Sequence, residues 1–151
     1  IMLHLHSFVD IITNSSTELF VCNTDKSIDT VKEMLQDMVD LYNKTTDHTE
    51  TFNDIFGTIQ IGINDSLIGM LCNYSEHYTL PDVFNSYPKY DNFDWKTYNK
   101  LSKEWINDHR NEIEKIYQNT IFIIGENSNS IPYSLWELIN DAFNGHNIHL
   151  G

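Results

Sequence analysis

The chain has 151 residues and a formal net charge of −13, with 9 Lys and Arg against 22 Asp and Glu. That balance excludes a surface built for duplex DNA or anionic lipid, since each calls for a cationic face, and Arg110 is the only arginine. Hydrophobic residues at 40% and aromatic residues at 13% exclude a disordered chain, and the length suits a single domain spanning 1–151.

Leu3, Leu5, Ser7, Val9 and Ile11 alternate with His4, His6, Phe8 and Asp10, the period of a strand. Thr13-Asn14-Ser15-Ser16-Thr17 is turn chemistry, and Glu18-Leu19-Phe20-Val21-Cys22 reads as a second strand. The two strands are expected to form an N-terminal hairpin around the Ser/Thr-rich loop. Ser27 caps a helix in which Val31, Met34, Leu35, Met38 and Leu41 fall at helical spacing, with Lys32, Glu33, Asp37 and Asp40 on the other face. Residues 44–50 form a polar link. Thr58 to Ile63 is a third strand, and Asn64-Asp65-Ser66 caps a short apolar helix through Leu71.

Residues 73–94 hold Pro81, Pro88 and many aromatics, among them Tyr74, Tyr78, Phe84, Tyr87, Tyr90 and Phe93. A flexible linker is not this aromatic, so the segment reads as a packed irregular excursion. The longest helix runs from Trp95 to about Gln118, with Tyr98, Leu101, Trp105, Ile113 and Ile116 inward. The apolar run Ile121 to Ile124 suits a central strand buried on both faces. A loop over 125–130 leads into a helix from Ile131 or Pro132 to about Phe143, closed by Asn144-Gly145, and Asn147 to Leu150 is a last short strand. Strands alternating with helices favour an α/β fold, with α+β as the alternative: one mixed sheet of about five strands with an N-terminal hairpin and helices against it.

Cys22 and Cys72 belong to no C-x-x-C pair, so both read as free buried thiols of a reducing compartment. No apolar run approaches the roughly 20 residues that span a bilayer. No secretory signal is expected, because His4, His6 and Asp10 break the apolar start.

Three constellations are candidates for chemistry. The loop Asn14, Ser15, Ser16, Thr17 crowds hydroxyls and backbone donors between strands, which suits an anion nest or a nucleophile; its bland alternative is a turn that satisfies its own backbone. The loop Glu126, Asn127, Ser128, Asn129, Ser130 follows an apolar strand and opens a helix, where α/β folds bind anions. It lacks the glycines and lysine of a phosphate loop, and Glu126 repels phosphate. His4 and His6 share a strand face and, with His149 (His146 lies three residues before it), are candidate metal ligands if the terminal strands are neighbours, with Asp10 adding a carboxylate. The competing view is exposed histidines on an edge strand.

Phe8-Val9-Asp10-Ile11-Ile12-Thr13-Asn14-Ser15-Ser16-Thr17-Glu18-Leu19-Phe20, together with Asn129-Ser130-Ile131-Pro132-Tyr133 and the terminal Ile148-His149-Leu150-Gly151, resembles the two ends of small phage and bacterial proteins. The Glu after the Ser/Thr run is most similar to members from crAss-like phages that infect Bacteroides. An Asn- and Ile-rich composition with Ala142 as the only alanine agrees with an AT-rich source. The resemblance implies a phage or prophage origin, a virion or host-cytoplasm location, and a single site shared by both Asn/Ser loops. No catalytic residue comes with it. The expected function is a phage-associated, non-catalytic structural or partner-binding protein without a cofactor, whose partner is a virion or host protein rather than nucleic acid or membrane. Two rivals stand beside it: a small enzyme or nucleotide- or anion-binding protein using the two loops, and an acidic DNA mimic that blocks a host protein.

Overall fold

The computed structural model describes residues 17–74, 78–90, 93–126 and 133–150. In chain order the elements are β1 (Thr17–Cys22), α1 (Ile28–Thr46), α2 (Phe52–Ile55), β2 (Phe56–Ile61), α3 (Asp65–Asn73), a 3-10 turn (Asp82–Ser86), α4 (Trp95–Ile116), β3 (Ile121–Gly125), α5 (Tyr133–Phe143) and β4 (Gly145–Leu150). They divide into a sheet unit, built of described residues 17–62, 119–126 and 133–150, and a helical unit of residues 63–74, 78–90 and 93–118.

In the sheet unit the strands lie in the order β2-β3-β1-β4, and every neighbouring pair is antiparallel. The sheet therefore has four strands among the described residues rather than about five, and it is antiparallel rather than mixed. The reason is that each helical crossover skips a strand. β1 and β2 run in the same direction with β3 between them, and β3 and β4 run in the same direction with β1 between them. Two β-α-β crossovers interleaved in this way form the split, ferredoxin-like arrangement, with the helical unit inserted between β2 and β3. The first half of the expected N-terminal hairpin, residues 3–11, lies outside the described residues.

Alternation sets the two faces of the sheet. Phe20, Cys22, Ile121 and Ile123 share a core with Val31, Leu35, Met38 and Val39 of α1 and Leu135, Trp136, Ile139 and Phe143 of α5. Leu19, Val21, Phe122, Ile124, Ile148 and Leu150 of the opposite face are also buried. The continuous apolar run of β3 thus belongs, as expected, to an interior strand buried on both sides. Trp136 packs on Phe20 with ring centroids 5.1 Å apart.

α1 starts where Ser27 accepts from the Thr30 amide. It runs five residues past Leu41, into the expected link, because the Thr45 and Thr46 hydroxyls donate to the Leu41 and Tyr42 carbonyls and close the last turn. Asp47, at φ 57°, ends it. The remainder of the link holds α2, fixed by a capping box between Thr51 and Asp54. β2 begins at Phe56 rather than Thr58 and carries a bulge between Phe56 and Ile59.

In the helical unit Asn64 caps α3 and Asp94 caps α4. The aromatic excursion is packed, as its composition requires. The Tyr98 hydroxyl donates to that of Tyr87 (3.0 Å), which donates to Ser102 (2.9 Å), and Trp105 Nε1 donates to Ser86 (2.9 Å). The buried stripe of α4 runs Tyr98, Ser102, Trp105, Ile106 and Ile113. Ile116, expected inside, is 44% exposed and is the last residue of the helix.

Candidate functional site

The antiparallel register brings the starts and ends of distant segments to one end of the sheet. Glu18 of β1 lies opposite Gly125 of β3 on one side and His149 of β4 on the other, and Thr17 lies opposite Leu150. The chain therefore enters β1 and leaves β3 at the same end of adjacent strands. Thr17, expected in the loop, is instead the first residue of β1 and is buried. Glu126 is exposed, and its backbone amide donates to the Ile55 carbonyl at 2.6 Å. Its Oε1 lies against Gly57, where an added Cβ would come within 3.1 Å. Asn14, Ser15, Ser16, Asn127, Asn129 and Ser130 lie outside the described residues; the described ends of both segments, Thr17 and Glu126, meet at this end of the sheet.

The side chains at that end form a directed polar relay. Glu18 has the same strand parity as Phe20 and Cys22, so its carboxylate sits on the helix-covered face, and its side chain is 6% exposed. His149 Nδ1 lies 2.6 Å from Glu18 Oε1. Asn147 Nδ2 donates to Glu18 Oε2 at 3.0 Å, and Asn140 Nδ2 of α5 donates to Asn147 Oδ1 at 2.8 Å. A carboxylate only accepts, so it sets the direction of both amides, and the relay ends at Asn140 Oδ1, which is buried without a partner among the described residues. Paired to a carboxylate through Nδ1, a neutral imidazole carries its proton there and its lone pair on Nε2. The His149 side chain is 48% exposed.

Of the metal candidates, His4, His6 and Asp10 lie outside the described residues. His146 is opposite Val21 and His149 opposite Glu18, so their rings leave β4 on opposite faces and do not converge. Among the described residues no group of three or more His, Cys, Asp or Glu side chains is placed to hold a metal ion, and no helix is long and apolar enough to cross a membrane. Glu18, Asn147 and Asn140 were not singled out by sequence reasoning. A signal existed for Glu18, a lone charge on the core parity of an otherwise apolar strand.

A second feature of the sheet unit is the outer face of α1. Asp29, Glu33, Asp37 and Asp40 are all exposed. At 1.5 Å rise per residue their successive steps are about 6 Å or less, so four carboxylates line one side of the helix. Asp40 accepts from Gln36 Nε2 at 3.0 Å, and among the described residues none of the four forms an ion pair. In the helical unit, a hollow of about 240 Å³ is lined by Asp65, Lys103, Ile106, Asn107 and Arg110. The Arg110 guanidinium there serves Asp65 and Asn107, so the hollow marks a braced helix contact rather than an open anion site. No protein-family model, curated protein or solved structure matches the chain.

Proposed function

We propose that the chain is a phage-associated, non-catalytic protein that docks a basic partner protein through the acidic outer face of α1. The observation that carries the reading is the carboxylate row Asp29, Glu33, Asp37 and Asp40, exposed and without ion pairs among the described residues. Like charges three and four residues apart on a helix repel one another and lower its stability. A row kept in spite of that cost fits a surface that meets cations, and the net charge of −13 steers such a partner toward it. The phage context rests on the resemblance at the two ends of the chain.

The test is affinity capture from infected Bacteroides cells together with proteomics of purified virions. The reading expects a basic protein that is retained at low salt, released at high salt, and present in the virion or in a host complex. Absence from both would overturn it. Displacement of the captured protein by duplex DNA would assign the narrower role of a DNA mimic, since the partner's cationic face would then be a nucleic-acid groove.

A further inference from the structure

Among the described residues β2 pairs only with β3, so its other side is an open sheet edge. The Gly62 amide donates to the Thr120 carbonyl at 2.8 Å, and β2 stands in register with β3 at Gln60–Phe122 and Ile61–Ile121. Bonded and non-bonded pairs alternate along an antiparallel ladder. Gly62 and Gln60 therefore turn their backbone groups toward β3, and Ile59 and Ile61 turn theirs outward. The Ile61 side chain is 58% exposed, although it lies on the face where Ile59 packs against the core. Sheet edges are guarded by Lys, Pro or inward charges. No charged residue and no proline stands between Asp54 and Asp65, in a chain of net charge −13, and the bulge of β2 falls before Ile59. At β4, the other edge, His149 is engaged by Glu18 and in a further interaction.

We propose that β2 is a self-association edge, on which a second copy of this chain seats its own β2 antiparallel about a two-fold axis at Gln60. In that register Ile59 stands opposite the partner's Ile61, and Ile61 opposite the partner's Ile59. Each such pair exchanges both of its outward N–H and C=O groups, so the edge is complementary to itself. The exposed Ile61 side chain then lies beside the partner's Ile59 and leaves water. Charge selects the occupant. Two copies of an acidic chain repel wherever carboxylates meet, and β2 is an edge where they meet without any; a basic partner gains nothing from uncharged residues. The two four-stranded sheets become one of eight strands. Each copy spends its β2 edge in the contact, so the assembly closes at a dimer. The contact is small and therefore weak, and it is independent of partner docking on α1.

The test is analytical ultracentrifugation of the full chain from about 10 µM to about 1 mM, at low and high salt. The expected mass rises with concentration from 17.7 kDa toward twice that value. Association is stronger at high salt, because screening relieves the repulsion between two acidic chains; docking of a basic protein on α1 has the opposite salt dependence. A monomer throughout overturns the proposal. Ile61→Glu, at an exposed side chain, puts a carboxylate into the contact and is expected to weaken the dimer about 10-fold or more. A dimer unchanged by Ile61→Glu places the contact elsewhere and overturns the proposal. The register is read with cysteines, since Cys22 and Cys72 are buried. Gln60 and the partner's Gln60 form a non-bonded pair with Cα atoms about 4.5 Å apart, within disulfide reach, whereas Thr58 stands opposite the partner's Gly62. Under mild oxidation Gln60→Cys is expected to link two chains and Thr58→Cys is not. Equal linkage of the two variants overturns the two-fold at Gln60.

Discussion

The Asp65 carboxylate receives two parallel hydrogen bonds from the Arg110 guanidinium, Nε to Oδ1 at 2.7 Å and Nη2 to Oδ2 at 2.6 Å, across 45 residues of sequence. This fork ties the first turn of α3 to α4 and uses the chain's only arginine. Both side chains are at least a third exposed, at 34% and 55%, so solvent screens the pair. Arg110→Ala is expected to lower stability by about 0.5–1 kcal/mol, with the loss shrinking in high salt. Thermal melts at two ionic strengths check both statements.

Burial pushes the Cys22 thiol up to about 12 and the Cys72 thiol well above its ordinary 9.0. It also pushes the Tyr117 hydroxyl up to about 12 and that of Tyr87 further still, from 10.0. Above pH 9 the unfolded chain loses protons that the folded chain retains, so stability falls as pH rises. It is complete below pH 9 and is lost progressively toward 12, by up to about 1.4 kcal/mol per pH unit for each such group. Denaturant midpoints measured from pH 8 to 11 should fall steadily, and Cys22→Ala should flatten the slope.

Gly145 opens β4 against β1, and an added Cβ would lie 2.8 Å from the Val21 carbonyl oxygen and 3.0 Å from Cys22 Sγ. The nearer atom is backbone and cannot turn aside. Gly145→Ala is therefore expected to cost about 1–3 kcal/mol. Gly62 has open space around it but a φ of +81°, so Gly62→Ala carries only the left-handed backbone cost of about 1–2 kcal/mol, and Gly62→Asn less. Urea unfolding of the three variants separates the two mechanisms.

Ser102 is fully buried in α4 and accepts the Tyr87 hydroxyl. Ser102→Ala leaves that hydroxyl without its acceptor, at an expected cost of about 1–3 kcal/mol. Ser86→Ala, at an exposed residue that accepts from Trp105, is expected to cost less. Chemical denaturation of the two proteins tests the difference.

Much of this was legible in the sequence, for reasons that differ by element. The caps Ser27 and Asn64 use local hydrogen bonds and fix the helix starts where side-chain chemistry places them. The run Ile121 to Ile124 announced a strand buried on both faces. Strand order was not legible, because alternating strands and helices suit parallel neighbours and interleaved crossovers equally well. That long-range choice also makes the relay. Glu18, Asn140, Asn147 and His149 are separated by up to 131 residues, and nothing local to any of them marks the others. The expectation that the two Asn/Ser segments share one site falls on residues 14–16 and 127–130, outside the described residues.

The acidic face of α1 allows stability and binding to be read on the same protein. Glu33 repels Asp29 and Asp37, each four residues away and exposed. The double variant Glu33→Gln, Asp37→Asn should therefore melt at or slightly above the wild-type temperature, a gain of a few tenths of a kcal/mol. The most direct measurement is the amount of basic partner retained by wild-type and double-variant protein immobilised side by side at low salt. Docking through α1 predicts that the variant loses the partner while folding at least as stably. Equal retention by the two proteins would contradict it.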